Sequence, residues 1–147
     1  MKPIDETPDA QQQQIVHRFY DAFAARDIAL LRGAVTPDWE YIPPTSSGQH
    51  GPDQMIEGFK ILSLGMPDMR IEVLDVLTHH NRVAVRASVS GTQSGPLLGC
   101  AATSRPVEFA IHSFHELRDG RVAKTWHLED WISVYRQIGA LPEGFGG

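Results

Sequence analysis

The residues best equipped for chemistry lie between Phe109 and Pro142, in the stretch FAIHSFHELRDGRVAKTWHLEDWISVYRQIGALP. It reads as a strand, a tight Asp119-Gly120 turn, a second strand and a short helix. The second strand ends in Trp126-His127-Leu128-Glu129-Asp130, which sets a carboxylate among aromatic and aliphatic neighbours. Such surroundings disfavour the charged form, raise the pKa and let the group exchange protons near neutral pH. Asp130 is the carboxylate expected to act in this way. Capping of the helix that begins at Trp131 is the alternative role for the same side chain.

The turn decides which histidine shares a face with Asp130. With a two-residue Asp119-Gly120 turn, Arg118 pairs with Arg121 and His115 joins Asp130. With a three-residue loop and Gly120 as the bulge, Leu117 pairs with Arg121. His112 then joins Asp130, beside Trp126, Phe114 and Glu116. The bulged turn is preferred because it sets His112 beside Trp126 and close to Asp130. It leaves Phe109, Ile111 and His127 on the other face, for packing or a dimer contact. A histidine next to Asp130 would bond a substrate carbonyl or tune the carboxylate.

His112-x-x-His115 and His127-x-Glu129 are also spacings found among metal ligands. On a strand, positions three apart face opposite ways, so His112 and His115 cannot hold one ion together. His127 and Glu129 share a face, but a third ligand would have to come from elsewhere. No metal and no other cofactor is expected. Trp39, Tyr41, Phe59 and Trp126 are candidate pocket walls, although aromatic residues in these numbers also suit an ordinary core. Tyr20 is a weaker candidate for a hydroxyl donor.

The elements that must position these groups can be read from periodicity. Ile15, Val16, Phe19, Tyr20 and Phe23 fall at helical spacing, predicting an amphipathic helix from Gln11 to Arg26. Asp27 is a plausible cap for a short second helix closed by Gly33. Trp39 to Ile42 reads as a strand stopped by Pro43-Pro44, with loop from Thr45 to Gly51. Pro52 opens a third helix carrying Met55, Ile56, Phe59 and Leu62. After Pro67 the period becomes two, giving strands Arg70 to Leu77 and Arg82 to Thr92 around a His79-His80-Asn81 turn. A Gly/Pro-rich loop from Gly91 to Ser104 leads to the final hairpin. Helices first and antiparallel strands afterwards predict an α+β fold, one domain over residues 1–147, with residues 1–9 frayed.

The totals exclude several classes. The 147 residues are 41% hydrophobic and 21% charged, a composition suited to one soluble domain with a core and a pocket. The net charge of −5, with no basic cluster, argues against nucleic acid. No apolar run is long enough for a membrane span, and the N-terminus does not read as a secretion signal. The single Cys100 rules out an internal disulfide and suits a reducing cytoplasm, the expected location.

Six short pieces in order carry a family resemblance. They are Met66-Pro67-Asp68, Asn81-Arg82-Val83-Ala84-Val85-Arg86, Gly91-Thr92-Gln93-Ser94-Gly95, Asp119-Gly120-Arg121-Val122, Trp126-x-x-x-Asp130 and Gln137-Ile138-Gly139-Ala140-Leu141-Pro142. The ordered set resembles the nuclear transport factor 2-like superfamily, and within it the SnoaL-like polyketide cyclases and ester cyclases. The resemblance implies a cone-shaped α+β barrel, a curved, mostly antiparallel sheet with the N-terminal helices on its concave face. It also implies a homodimer formed through the outer sheet face. For Asp130 it implies general acid/base work: removal of a proton between two carbonyls, aldol-type ring closure, and return of the proton to the new alkoxide.

The ligand so implied is a small apolar molecule rich in carbonyls, handled without a cofactor. Isomerase and dehydratase chemistry, or ligand binding without turnover, are the alternatives on the same fold. Tyr41 would lie on a strand edging the cavity and donate to an oxyanion. Gln93 stands where the family often has His, as a substrate contact. Ala101-Ala102-Thr103-Ser104 replaces a common Pro-Pro-Thr-Gly.

Overall fold

The computed structural model describes residues 8–43, 49–142 and 144–145. Helix α1 (Pro8–Ala25) buries Val16, Phe19, Tyr20, Ala22 and Phe23 on one face, the stripe its spacing predicts. Asp27 caps α2 (Ile28–Ala34), its carboxylate accepting the Leu30 N–H at 3.1 Å. Gly33 lies inside that helix rather than closing it. Strand β1 (Val35–Ile42) follows at once and so starts earlier than expected. Its Pro37 falls where the ladder to the neighbouring strand is interrupted, between Val35 and Glu40, so no sheet bond is lost to the missing N–H.

The expected loop from Thr45 to Gly51 lies partly outside the described residues, and Gln49–His50 forms a two-residue strand, β2. A 3₁₀ turn (Pro52–Met55) leads into α3 (Ile56–Gly65). Strands β3 (Arg70–His79), β4 (Arg82–Thr92), β5 (Pro106–Arg118) and β6 (Arg121–Glu129), then helix α4 (Trp131–Gln137), complete the chain.

The strands form one six-stranded sheet in the order β2-β1-β6-β5-β4-β3. The β1–β6 pair is parallel and the other pairs are antiparallel. The fold is α+β as expected, with the helices packed against a curved sheet that does not close into a barrel. Alternation along β5 is strict: Val107, Phe109, Ile111, Ser113, His115 and Leu117 are buried, while the residues between them face outward.

The hairpin combines features of both expected turns. Asp119 and Gly120 have φ of 53° and 73°, and Arg118 pairs with Arg121, a two-residue turn of the kind that Asp-Gly favours. One step later Leu117 pairs with Val122 but Glu116 with Lys124, so Ala123 is an extra residue in β6. This bulge inverts the facing of everything beyond it. His112 therefore does share a face with Phe114, Glu116 and Trp126, as the preferred alternative had it, and pairs with Leu128, but the bulge is in the strand and not in the turn.

Candidate active site

The bulge at Ala123 decides which side chains meet. Beyond it Thr125, His127 and Glu129 turn inward, opposite His115, Ser113 and Ile111. The face expected to serve for packing or a dimer contact, with Phe109, Ile111 and His127, is the wall of the cavity. The face expected to carry the chemistry is the outer surface of the sheet.

A line of polar groups crosses the apolar interior. The Trp39 indole N–H donates to Thr125 Oγ1 at 3.1 Å, and His115 Nδ1 lies 2.9 Å from the same oxygen. His115 Nε2 is 2.8 Å from the Tyr20 hydroxyl. Ser113 Oγ is 2.7 Å from His127 Nδ1, and His127 Nε2 is 2.5 Å from Glu129 Oε1. Burial makes an unpaired polar atom costly, and each of these has a partner. Aromatic rings seal the line: Phe19 meets the His115 ring edge-on at 4.9 Å, and the Tyr41 ring is tilted over His127 at 5.5 Å.

Glu129 and His127 form the polar end of an otherwise apolar cavity. Its walls include Phe19, Tyr20, Met69, Phe109, Ile111 and Trp131, and its free volume is about 30 Å³. That is room for about two or three waters at most, since a single water needs roughly 10–15 Å³ on this measure. α1 supplies Phe19 and Tyr20, α3 supplies Leu62, and α4 supplies Trp131, which lies against Phe109 at 5.0 Å.

Burial sets the protonation of the neighbours. His115 is driven down to about 3 by loss of water and then by the nearby His127, so its ring is neutral at pH 7. Both phenols are raised. Burial dominates for Tyr41, reinforced by Glu129 and Tyr20; burial also dominates for Tyr20, partly offset by Ser113. Neutral phenols beside a carboxylate and an imidazole suit a pocket that takes a proton from carbon and stabilises the oxyanion left behind.

Asp130 is not in this pocket. Its carboxylate accepts from Ser133 N–H at 3.1 Å and Ser133 Oγ–H at 2.5 Å, capping α4. Those bonds, the hydroxyl first, hold it below the usual carboxylate range, the reverse of the expected shift. Its face borders an open outer depression with Ala110, His112, Leu128 and the edge of Glu129, and His112 is exposed.

The remaining expectations divide in the same way. His115 is buried inside, as a hydrogen-bonded core residue rather than a cavity wall. Trp39 is a fully buried core residue spanning to Thr125. Phe59 packs on Phe23 at 5.1 Å and borders a groove among the helices. Trp126 lies on the outer face, with the Arg82 guanidinium 4.9 Å and Lys124 Nζ 5.3 Å from its ring centre. Tyr41 does come to the site, against His127. Gln93 is not part of the cavity lining: fully buried, it donates to Ala101 O at 3.0 Å and accepts from Thr103 Oγ1 at 2.6 Å, pinning the loop before β5.

The sequence reading has no role for Ser113, considers Glu129 only as a metal ligand, and gives His127 to packing or a dimer contact. The His127-x-Glu129 spacing was the available signal, because it puts both on one face, but it was weighed only as a metal pair. Among the described residues no three His, Cys, Asp or Glu come together as a metal site. No described helix is long and apolar enough to cross a membrane.

Comparison with known proteins follows the same fold. No curated protein matches the sequence. A protein of Jannaschia sp. CCS1 named as a SnoaL-like polyketide cyclase superposes with a TM-score of 0.81 at 27% identity, covering 95% of this chain and 100% of its own. TsrD of Streptomyces laurentii gives 0.81 at 25% identity, covering 92% and 100%. IdmH of Streptomyces antibioticus, named as a polyketide cyclase, gives 0.77 at 26% identity, covering 88% and 99%. The SnoaL-like polyketide cyclase family model matches residues 14–138, and the chain belongs to that family.

Proposed function

We propose that this chain is a cofactor-independent acid/base enzyme acting on a small apolar molecule with an acidic C–H beside a carbonyl. The observation that carries the reading is the Glu129–His127 pair, bonded at 2.5 Å, as the polar end of an apolar cavity. Glu129 takes the proton, the imidazole N–H keeps the carboxylate oriented, and the Tyr41 phenol, whose ring lies against His127 at 5.5 Å, is the proposed donor to the developing oxyanion. Where the substrate carries a further carbonyl, attack of the carbanion on it closes a ring, and the protonated Glu129 returns its proton to the new alkoxide. This is the aldol-type closure that family membership suggests, with Glu129 in the role expected of Asp130.

The small free volume favours a second reading on the same residues. Isomerisation or dehydration of a compact ketone needs less room than folding a chain of several carbonyls. Self-association through the outer sheet face belongs with either reading. Leu77, Ala84, Phe114, Trp126 and Ile42 pair in register across that face as one continuous row.

The test is deuterium incorporation next to the carbonyl of small ketones and 1,3-dicarbonyls in D₂O, followed by proton NMR. The wild-type chain is expected to accelerate exchange, and Glu129→Gln to lose about 10²–10⁴-fold of that acceleration. A ligand that binds without exchange would instead support a binding module.

A further inference from the structure

We propose that the groove along α3, beside the corner between α1 and α2, is a second ligand site, for a single-chain amphiphile with a carboxylate or phosphate head. It shares no lining residue with the Glu129 cavity, so it stands or falls independently of the preceding reading.

One helix face builds most of the groove. Ile56, Phe59, Lys60 and Ser63 stand at i, i+3, i+4 and i+7 along α3, so they project to the same side, and Leu64 extends the row. Arg26 and Ile28, on either side of Asp27, supply the rest of the lining. The apolar members are graded in depth: Phe59 is buried, Ile28 and Ile56 are half-buried, and Leu64 is 66% exposed. From Ile56 to Leu64 the helix rises about 12 Å, long enough to seat an octyl chain. The free volume is about 500 Å³, against about 30 Å³ in the cavity. Small-molecule sites typically offer roughly 300–1,000 Å³.

The polar part of the lining is cationic. Arg26 donates its Nε–H to Ser63 Oγ at 3.2 Å, an Nη2–H to Pro67 O at 2.9 Å and an Nη1–H to Ala24 O. These bonds hold the guanidinium in place, yet every acceptor is neutral. Among the described residues no carboxylate forms an ion pair with Arg26. A guanidinium carries five N–H donors, so two remain for a ligand, in the fork that suits carboxylate or phosphate. Lys60 Nζ lies 3.1 Å from Glu57, but both side chains are exposed, and so weak a pair leaves the ammonium open to a second anion. No carboxylate lines the groove. The whole chain carries −5, so attraction of an anion has to come from these two cations at short range. A fixed cation beside an apolar row calls for an anionic head on an alkyl chain.

The experiment follows methyl NMR signals of the full chain during titration with octanoate, octyl phosphate and octanol. The anions are expected to shift the Ile28, Ile56 and Leu64 methyls saturably, and the tighter of the two names the head group. Octanol, with the same chain and no charge, is expected to bind about tenfold more weakly or less. Lys60→Glu, at an exposed position, should keep the circular dichroism spectrum, weaken both anions several-fold and leave octanol unchanged. Leu64→Asn should weaken all three. Glu129→Gln should alter none of these affinities, whatever it does to proton exchange. The proposal is overturned if octanol binds as tightly as the anions, or if Lys60→Glu leaves anion affinity untouched. Shifts that do not saturate, or that fall on the Leu62 and Ile111 methyls of the cavity instead, overturn it as well.

Discussion

Two adjacent carboxylates have opposite fates. Glu129 points inward to His127, whereas Asp130 points outward and caps α4. A strand places neighbours on opposite faces, so a one-residue difference moves a carboxylate from the cavity to the surface. Asp130→Ala is therefore expected to cost about 1 kcal/mol of stability through loss of a helix cap, read in a denaturant melt, and to leave proton exchange intact. An Asp130→Ala protein that folds normally yet loses exchange would return the chemistry to Asp130.

His115 makes a separate prediction at this scale. Its folded-state pKa of about 3 lies below the ordinary 6.5, so between these values the unfolded chain binds more protons than the folded one. Stability is then fully present above pH 6.5 and is lost as pH falls toward 3, at up to about 1.4 kcal/mol per pH unit. His115→Gln should flatten that part of the stability profile. An unchanged slope would mean that His115 does not stay neutral inside.

At the scale of elements, the Gly91 to Ser104 loop is more built than its composition suggested. The Gln93 side chain bonds three other loop residues, Leu97 is buried against Gly65, and Tyr135 on α4 donates to Leu98 O at 3.1 Å. Gly95 lies so close to α3 that an added Cβ would be 1.9 Å from Leu64 O. Backbone cannot yield as a side-chain tip can, so Gly95→Ala is expected to displace the loop and lower the melting temperature by several degrees. A substitution that leaves both the melt and the Leu97 amide signal unmoved would show that the loop does not dock. The hairpin teaches a similar lesson. Asp119-Gly120 was legible as a turn, but the bulge at Ala123 has no signature in residue type, because alanine suits either a paired or an unpaired position.

For the whole molecule, the succession of the main helices and strands and the α+β class were legible because each rests on local periodicity and short-range turn chemistry, whereas the sheet order, with β1 parallel to β6, was not. The outer sheet face presents Leu77, Phe114 and Leu128 at 70%, 60% and 58% exposure, in one patch with Trp126. Phe114→Lys is expected to shift a dimer to monomer in light scattering, with the circular dichroism spectrum unchanged; a wild-type chain already monomeric at high concentration would end that reading.

What the sequence determined by itself was the family, the succession of elements, and the segment where polar chemistry would gather. Those follow from patterns a few residues long. Only the tertiary structure decided which face of the sheet is inside, and with it that Glu129 and His127, rather than Asp130 and His112, line the cavity. One extra residue in a strand inverts every side chain beyond it, and its position depends on how β5 and β6 meet across the sheet.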